Sequence, residues 1–247
     1  MKRALACWKL ARATGHAIGG WWTIRFNFPR LSQAERNATV ERWAERMLLL
    51  LGIRLVVQGT PPAQGPVLLV SNHVSWLDIL AFHAARHVRF VSKSGVRHWP
   101  MIGALATGGG TLYIERERKR DALRVVHHMT EALRQGDLIA VFPEGTTSDG
   151  QGVLPFHANL LQAAISSGSP VQPAALRFAD AATRQTSLAP RYIDDDNLVS
   201  SLWRTLRAPP LVAIVRYGAP QSSDGRERRE WALSLQRQVR DLLEATR

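Results

Sequence analysis

The pattern of apolar and polar positions changes character near residue 52. Before it the spacing is helical. Ser32 with Glu35 three residues later makes a capping box, Trp43, Met47, Leu50 and Leu51 recur on a helical period, and the stretch stops at Gly52, so a helix is predicted over about 32–51. Upstream, Trp8, Trp21, Trp22, Phe26 and Phe28 are scattered among Lys and Arg, which predicts a second amphipathic helix and, together, a helical hairpin. From Ile53 onward short apolar runs alternate with helical segments. Strands are predicted over 54–58, 67–71, 88–92, 111–115, 138–142, 171–178 and 211–217, with helices over 76–86, 120–134, 159–166 and 228–245. Several strands are apolar on both faces, as in a covered sheet. The fold class expected is therefore α/β: a mostly parallel central sheet flanked by helices, preceded by the hairpin. Residues 1–51 form one expected unit and 52–247 the other; residues 180–208 give no clear pattern.

Charge sharpens the view of the hairpin. The 247 residues carry 32 Lys and Arg against 20 Asp and Glu, a formal net charge of +12, and residues 1–60 hold ten of the basic residues but only three acidic ones. A basic, Trp-bearing hairpin suits an anionic lipid surface. The longest uncharged N-terminal stretch, Ala13–Ile24, has 12 residues and includes His16 and three glycines. A spanning helix needs about 20 apolar residues, so peripheral attachment is expected. Cys7 is the one cysteine, which leaves no disulfide framework and no Cys-rich zinc site.

The chemistry-bearing residues follow strands. Asn72-His73-Val74-Ser75-Trp76-Leu77-Asp78 leaves the 67–71 strand. An aspartate five residues after a histidine, in the first helical turn, can hold imidazole Nδ1 and leave Nε2 free as a general base for a hydroxyl. Phe142-Pro143-Glu144-Gly145-Thr146-Thr147-Ser148 leaves the 138–142 strand and offers a carboxylate, amides and hydroxyls where open α/β sheets bind ligands. Between them a strand delivers Glu115 and Arg116, the latter a candidate anion clamp. There is no Gly-x-Ser-x-Gly elbow, so an acyl-serine intermediate is disfavoured. His83 and His87 lack the acidic partner of a helical zinc motif, and no zinc-finger or RNA-binding signature accompanies the charge.

Taken in order, Asn72-His73 with Asp78, Gly110 through Arg116, Phe142-Pro143-Glu144-Gly145, and Val171-Gln172-Pro173 resemble the four blocks of the glycerolipid acyltransferases typified by 1-acyl-glycerol-3-phosphate acyltransferase. Lys93 followed by Pro100-Met101-Ile102-Gly103 is similar to that family's segment between its first two blocks. The resemblance covers roughly residues 50–220. It implies that His73, supported by Asp78, deprotonates an acceptor hydroxyl that attacks an acyl thioester directly. It further implies that Arg116 holds the acceptor's phosphate with help from Lys93, while Glu115, Glu144, Gly145 and Thr146 shape the acceptor site. No cofactor and no metal are expected. The implied partners are a lysolipid acceptor, acyl-CoA or acyl carrier protein as donor, and an anionic membrane surface at the cytoplasmic face of the inner membrane, with no nucleic acid. The acceptor expected is 1-acyl-glycerol-3-phosphate. Thr147 stands where many such enzymes carry arginine, and 146–150 is similar to bacterial lyso-ornithine-lipid acyltransferases, which keeps that acceptor open. A non-enzyme alternative, a basic membrane-associated or nucleic-acid-binding module, requires the His73/Asp78 pairing to be accidental.

Overall fold

A computed structural model of the chain describes residues 2–114, 119–193 and 196–246. Its frame is a seven-stranded sheet in the order β1-β7-β6-β2-β5-β3-β4. The strands are β1 (Ile53–Gln58), β2 (Val67–Ser71), β3 (Arg89–Lys93), β4 (Leu112–Ile114), β5 (Leu138–Val141), β6 (Val171–Asp180) and β7 (Leu211–Tyr217). All neighbouring strands are parallel except β6 and β7. The mostly parallel α/β sheet inferred from the double-sided apolar runs is therefore the architecture observed.

The helices are α1 (Lys2–Trp22), α2 (Gln33–Leu51), α3 (Leu77–Ala85), α4 (Ile102–Gly108), α5 (Lys119–Arg134), α6 (Gln162–Ser167), α7 (Leu198–Arg207) and α8 (Arg228–Glu244). Because β2 alternates its side chains across the sheet, Leu69 joins one apolar layer while Leu68 and Val70 join the other. The first layer packs under α2 and α3, through Met47, Leu48, Leu77 and Phe82. The second packs under α5, α6 and α8, through Met129, Leu133, Ala163, Trp231 and Leu235.

The hairpin begins as the pattern requires. Ser32 Oγ accepts from the Glu35 amide while the Glu35 carboxylate accepts from the Ser32 amide, and α2 ends at Gly52 in the left-handed conformation. α1 reaches α2 through a stripe of small residues, Ala6, Ala13, Ala17 and Gly20. A Cβ on Gly20 would lie 2.4 Å from Trp43 Nε1. His16 and Trp43 lock the pair reciprocally: His16 Nε2 lies 3.0 Å from the Trp43 carbonyl, and Trp43 Nε1 donates to the His16 carbonyl at 3.2 Å. Residue 52 thus marks a change of secondary structure but no gap in packing, since Ala6, Ala13, Met47, Leu48 and Leu51 share one core with Leu69 and Phe82. The opposite side of α1 and the turn after it carry exposed Leu5, Trp8, Ile18, Trp21, Trp22 and Phe26. Arginines lie over two of these rings, Arg12 over Trp8 and Arg25 over Phe26. Among the described residues no helix is long and apolar enough to cross a membrane.

Candidate active site

β2 and β5 are parallel neighbours, with Val70 beside Val141, so the segments that follow them leave the same edge of the sheet side by side. The first segment delivers His73 and Asp78. The second is the 142–148 loop.

His73 Nδ1 lies 2.7 Å from Asp78 Oδ2. The same carboxylate oxygen accepts from the amides of Val74 at 2.7 Å and Ser75 at 3.0 Å. Asp78 is wholly buried in the first turn of α3, so three donors and the helix N-terminus fix it. With Nδ1 engaged, Nε2 is the imidazole nitrogen left for substrate, and His73 retains 20% side-chain exposure. The ring is also held flat on Phe142, with centroids 4.0 Å apart and planes 4° from parallel.

The 142–148 loop grips the backbone of His73. Glu144 Oε1 accepts from the His73 amide at 3.3 Å, and the His73 carbonyl accepts from the Ser148 amide at 2.7 Å and from Ser148 Oγ at 3.2 Å. Asn72 anchors the residue before. Its side-chain amide donates to the Leu176 carbonyl and accepts from the Leu176 amide, both at 2.9 Å, continuing the β2–β6 pairing past the strand's end. A third segment packs on the first: the Tyr192 amide donates to the Val74 carbonyl at 3.0 Å, and Trp76 Nε1 donates to Ser201 Oγ at 3.3 Å.

His73 and Phe142 lie in the wall of an apolar cavity of about 740 Å³. Ala13, Ala17 and Gly20 of α1, Trp43 and Met47 of α2, Leu80 of α3 and Leu105 of α4 also line it, so the hairpin is one of its walls. A space of this size, this apolar, with one exposed imidazole edge suits a hydrocarbon chain whose reactive end meets His73.

The other expected site residues divide. Lys93 is exposed at the end of β3 and lines the same cavity. Gly145 and Thr146 are exposed on the 142–148 loop. Thr147 lines the cavity and donates its hydroxyl to the Tyr192 carbonyl. Glu115 and Arg116 lie outside the described residues. Glu144 is 4% exposed, and its Oε2 is buried without a well-formed hydrogen bond among the described residues. Burial, with a smaller contribution from the Asp78 charge, pushes its carboxyl up to about 8. The His83 and His87 rings lie with centroids 5.2 Å apart: the His87 Nε2 is 3.1 Å from the Gly109 carbonyl, and burial followed by the His87 charge pushes the buried His83 down to about 3.

Glu144 has a consequence for stability. Between its ordinary value of 4.5 and about 8 the native state keeps a proton that the unfolded chain has released, so stability falls as pH rises through that window. His83 acts in the opposite sense at lower pH, where the unfolded chain gains a proton that the native state refuses. Glu144→Gln keeps the shape and removes the proton, so its denaturant midpoint is expected to gain on wild type between pH ~5 and ~8. Parallel pH dependences for the two proteins would show that Glu144 does not hold that proton.

Asn72, Phe142, Ser148 and Tyr192 enter the site in ways that sequence reasoning did not assign. Asn72 and Phe142 sit inside the recognised blocks, but a side-chain clamp and a stacking platform have no linear signature. The helix after Tyr192 did leave one: Leu198, Leu202 and Leu206 recur at four-residue spacing behind Asn197, whose side chain accepts from the Ser200 amide as an N-cap.

The Acyltransferase family model matches residues 53–177. A lyso-ornithine lipid O-acyltransferase of Pseudomonas aeruginosa is 34% identical over 229 residues, covering 92% of this chain and 87% of that protein. A 1-acyl-sn-glycerol-3-phosphate acyltransferase of Neisseria meningitidis is 37% identical over 184 residues, covering 74% and 71%. The crystal structure of the 1-acyl-sn-glycerophosphate acyltransferase PlsC from Thermotoga maritima shares the fold, with a TM-score of 0.75 at 20% identity over 99% of this chain and 97% of that one.

Proposed function

This chain belongs to the acyltransferase family, and from that premise we propose that it moves a fatty acyl group from an acyl thioester to the free hydroxyl of a lysolipid, with His73 as general base. The observation that carries the reading is the His73–Asp78 dyad set in the wall of the apolar cavity.

Asp78 fixes the Nδ1–H tautomer, and His73 Nε2 takes the proton of the acceptor hydroxyl. The oxygen attacks the thioester carbonyl carbon, the C–S bond breaks, and the imidazolium returns the proton to the departing thiolate. Asp78 stabilises the imidazolium between the two transfers. The cavity holds acyl chain, and the exposed aromatic side of α1 lies in the headgroup region of an anionic bilayer, where the lysolipid resides. Either coenzyme A or acyl carrier protein is compatible with the basic surface as donor.

A phosphate-bearing acceptor, 1-acyl-glycerol-3-phosphate, is supported by the Neisseria relative's name and relies on Arg116 with Lys93 as cations. A second acceptor, lyso-ornithine lipid, is favoured by Thr147, whose hydroxyl is committed to the Tyr192 carbonyl and which brings no cation to the loop. Both acceptors, offered in mixed vesicles with acyl-CoA and with acyl carrier protein thioester, separate the readings by their kcat/KM values. A preference for phosphatidic acid formation supports the first, and a preference for ornithine lipid the second. Turnover of neither lysolipid would refute the proposed reaction.

A further inference from the structure

The segment between β3 and α4 takes no part in the dyad, yet it is built to be seen. Arg97, His98, Trp99, Pro100 and Met101 are consecutively exposed, with Trp99 at 47% and Met101 at 37%. Two apolar side chains of this size facing water side by side require an explanation. Met101 is held at φ 61°, a conformation unfavourable for a residue with a side chain. The fold enforces it: the Trp99 amide donates to the Val96 carbonyl at 3.1 Å, the Gly103 amide to the Trp99 carbonyl at 2.9 Å, and Tyr113 Oη to the Gly103 carbonyl at 3.1 Å. A Cβ on Gly103 would lie 2.1 Å from the Arg97 carbonyl oxygen, so only glycine lets the turn close.

Trp99 and Met101 are at once exposed and part of the cavity wall, which places this turn on the rim where the cavity meets its surroundings. The turn after α1 abuts the same region from the other side, since Ile24 also lines the cavity and packs on Gly108 of α4. The end of α1 and that turn carry exposed Trp22 and Phe26, with Arg25 over the Phe26 ring. Both sides of the rim thus present large apolar side chains next to cations: Arg25 on one, Lys93 and Arg97 on the other.

We propose that the 97–101 turn is a second lipid-contacting element, inserting Trp99 and Met101 into the same bilayer as α1 so that acyl chains enter the cavity sideways from the membrane. Aromatic side chains favour the headgroup level, a Met fits the acyl boundary beneath it, and Lys93 and Arg97 complement anionic lipid phosphates. A soluble acidic protein would match the cations but would leave the apolar pair without a counterpart. The inference rests on the reading of α1 as a bilayer-facing helix, and the test separates the two.

The test uses the full chain with Cys7→Ser and one new cysteine at a time, Met101→Cys, Trp22→Cys or Leu233→Cys, each carrying a polarity-sensitive fluorophore. Leu233 is exposed on α8, which packs with the second apolar layer on the other side of the sheet. Vesicles of phosphatidylglycerol and phosphatidylcholine are added, with and without nitroxide-labelled lipid. The labels at 101 and 22 are expected to shift to the blue and be quenched, and the label at 233 to do neither. Quenching at 22 without any at 101 would overturn the second element and leave the helix reading standing. Quenching at neither would overturn both, and equal quenching at all three would mean non-specific adsorption and also overturn the proposal. A shift at 101 produced by acyl carrier protein and not by vesicles would assign the turn to a protein partner instead. In the unlabelled chain, Trp99→Ala combined with Met101→Ser is expected to weaken vesicle binding by roughly tenfold or more. Unchanged binding would count against the insertion.

Discussion

His73→Ala is expected to lower kcat by about 10²–10⁴-fold, the range for loss of a positioned general base. The side chain is only 20% exposed, stacks on Phe142 and pairs with the enclosed Asp78 carboxylate, so the variant is also expected to lose stability, and its turnover is compared where it remains folded. Asp78→Asn acts differently. The carboxylate that accepts from the Val74 and Ser75 amides becomes an amide that can present an N–H to them or to the imidazole, so the His73 tautomer and the loop geometry both suffer. Its kcat is expected to fall far more than its KM rises. Steady-state assays on both variants, with folding checked by circular dichroism, decide the matter. Near-normal turnover by folded His73→Ala protein would remove the imidazole from the mechanism.

Asn72→Ala carries the second large effect, and it falls on stability as well as rate. The wild-type side chain satisfies both the amide and the carbonyl of Leu176, and all the groups are buried. Truncation leaves two backbone polar groups without partners, at about 1–3 kcal/mol each, so denaturant unfolding should register a loss of about 2–6 kcal/mol. Asn72→Asp does not rescue it: a carboxylate still accepts from the Leu176 amide but faces the Leu176 carbonyl with no donor. Because His73 follows directly, activity should fall with stability. A change below about 0.5 kcal/mol for the alanine variant would mean that water replaces the clamp at no cost.

The sheet was legible in the sequence because β2, β5 and the first five residues of β7 read as apolar runs and β6 as one interrupted only by buried Gln172 and Arg177 before its final Asp180. The Asn72–Asp78 spacing likewise disclosed the dyad, since a helix that starts just after a strand end brings residue 78 back to residue 73. The interdependence of the blocks was not legible. Glu144 lies 71 positions from His73 along the chain, and what links them is the parallel adjacency of β2 and β5, a pairing that no local pattern encodes. The same limit hid the cavity. Ala6, Ala13, Ala17 and Gly20 of α1 look like weak helix punctuation in one dimension, and only against α2 do they become the side that lets α1 approach. Of the 97–101 turn only Pro100 and Met101 belong to the stretch that carries the family resemblance, and the sequence gives the turn no task. Its exposure follows from the positive φ at Met101 and the tight approach at Gly103, neither of which composition reveals.

The most direct test of direct acyl transfer is the stoichiometry of thiol release. Purified full-length protein is given an acyl thioester with lysolipid in vesicles, and free thiol and acylated lipid are measured together over time. The mechanism predicts one thiol for each acylated lipid, little thiol without lysolipid, and no acyl group bound to the protein at any time. Thiol released at the same rate with and without lysolipid, or an acyl group trapped on the protein, would contradict it.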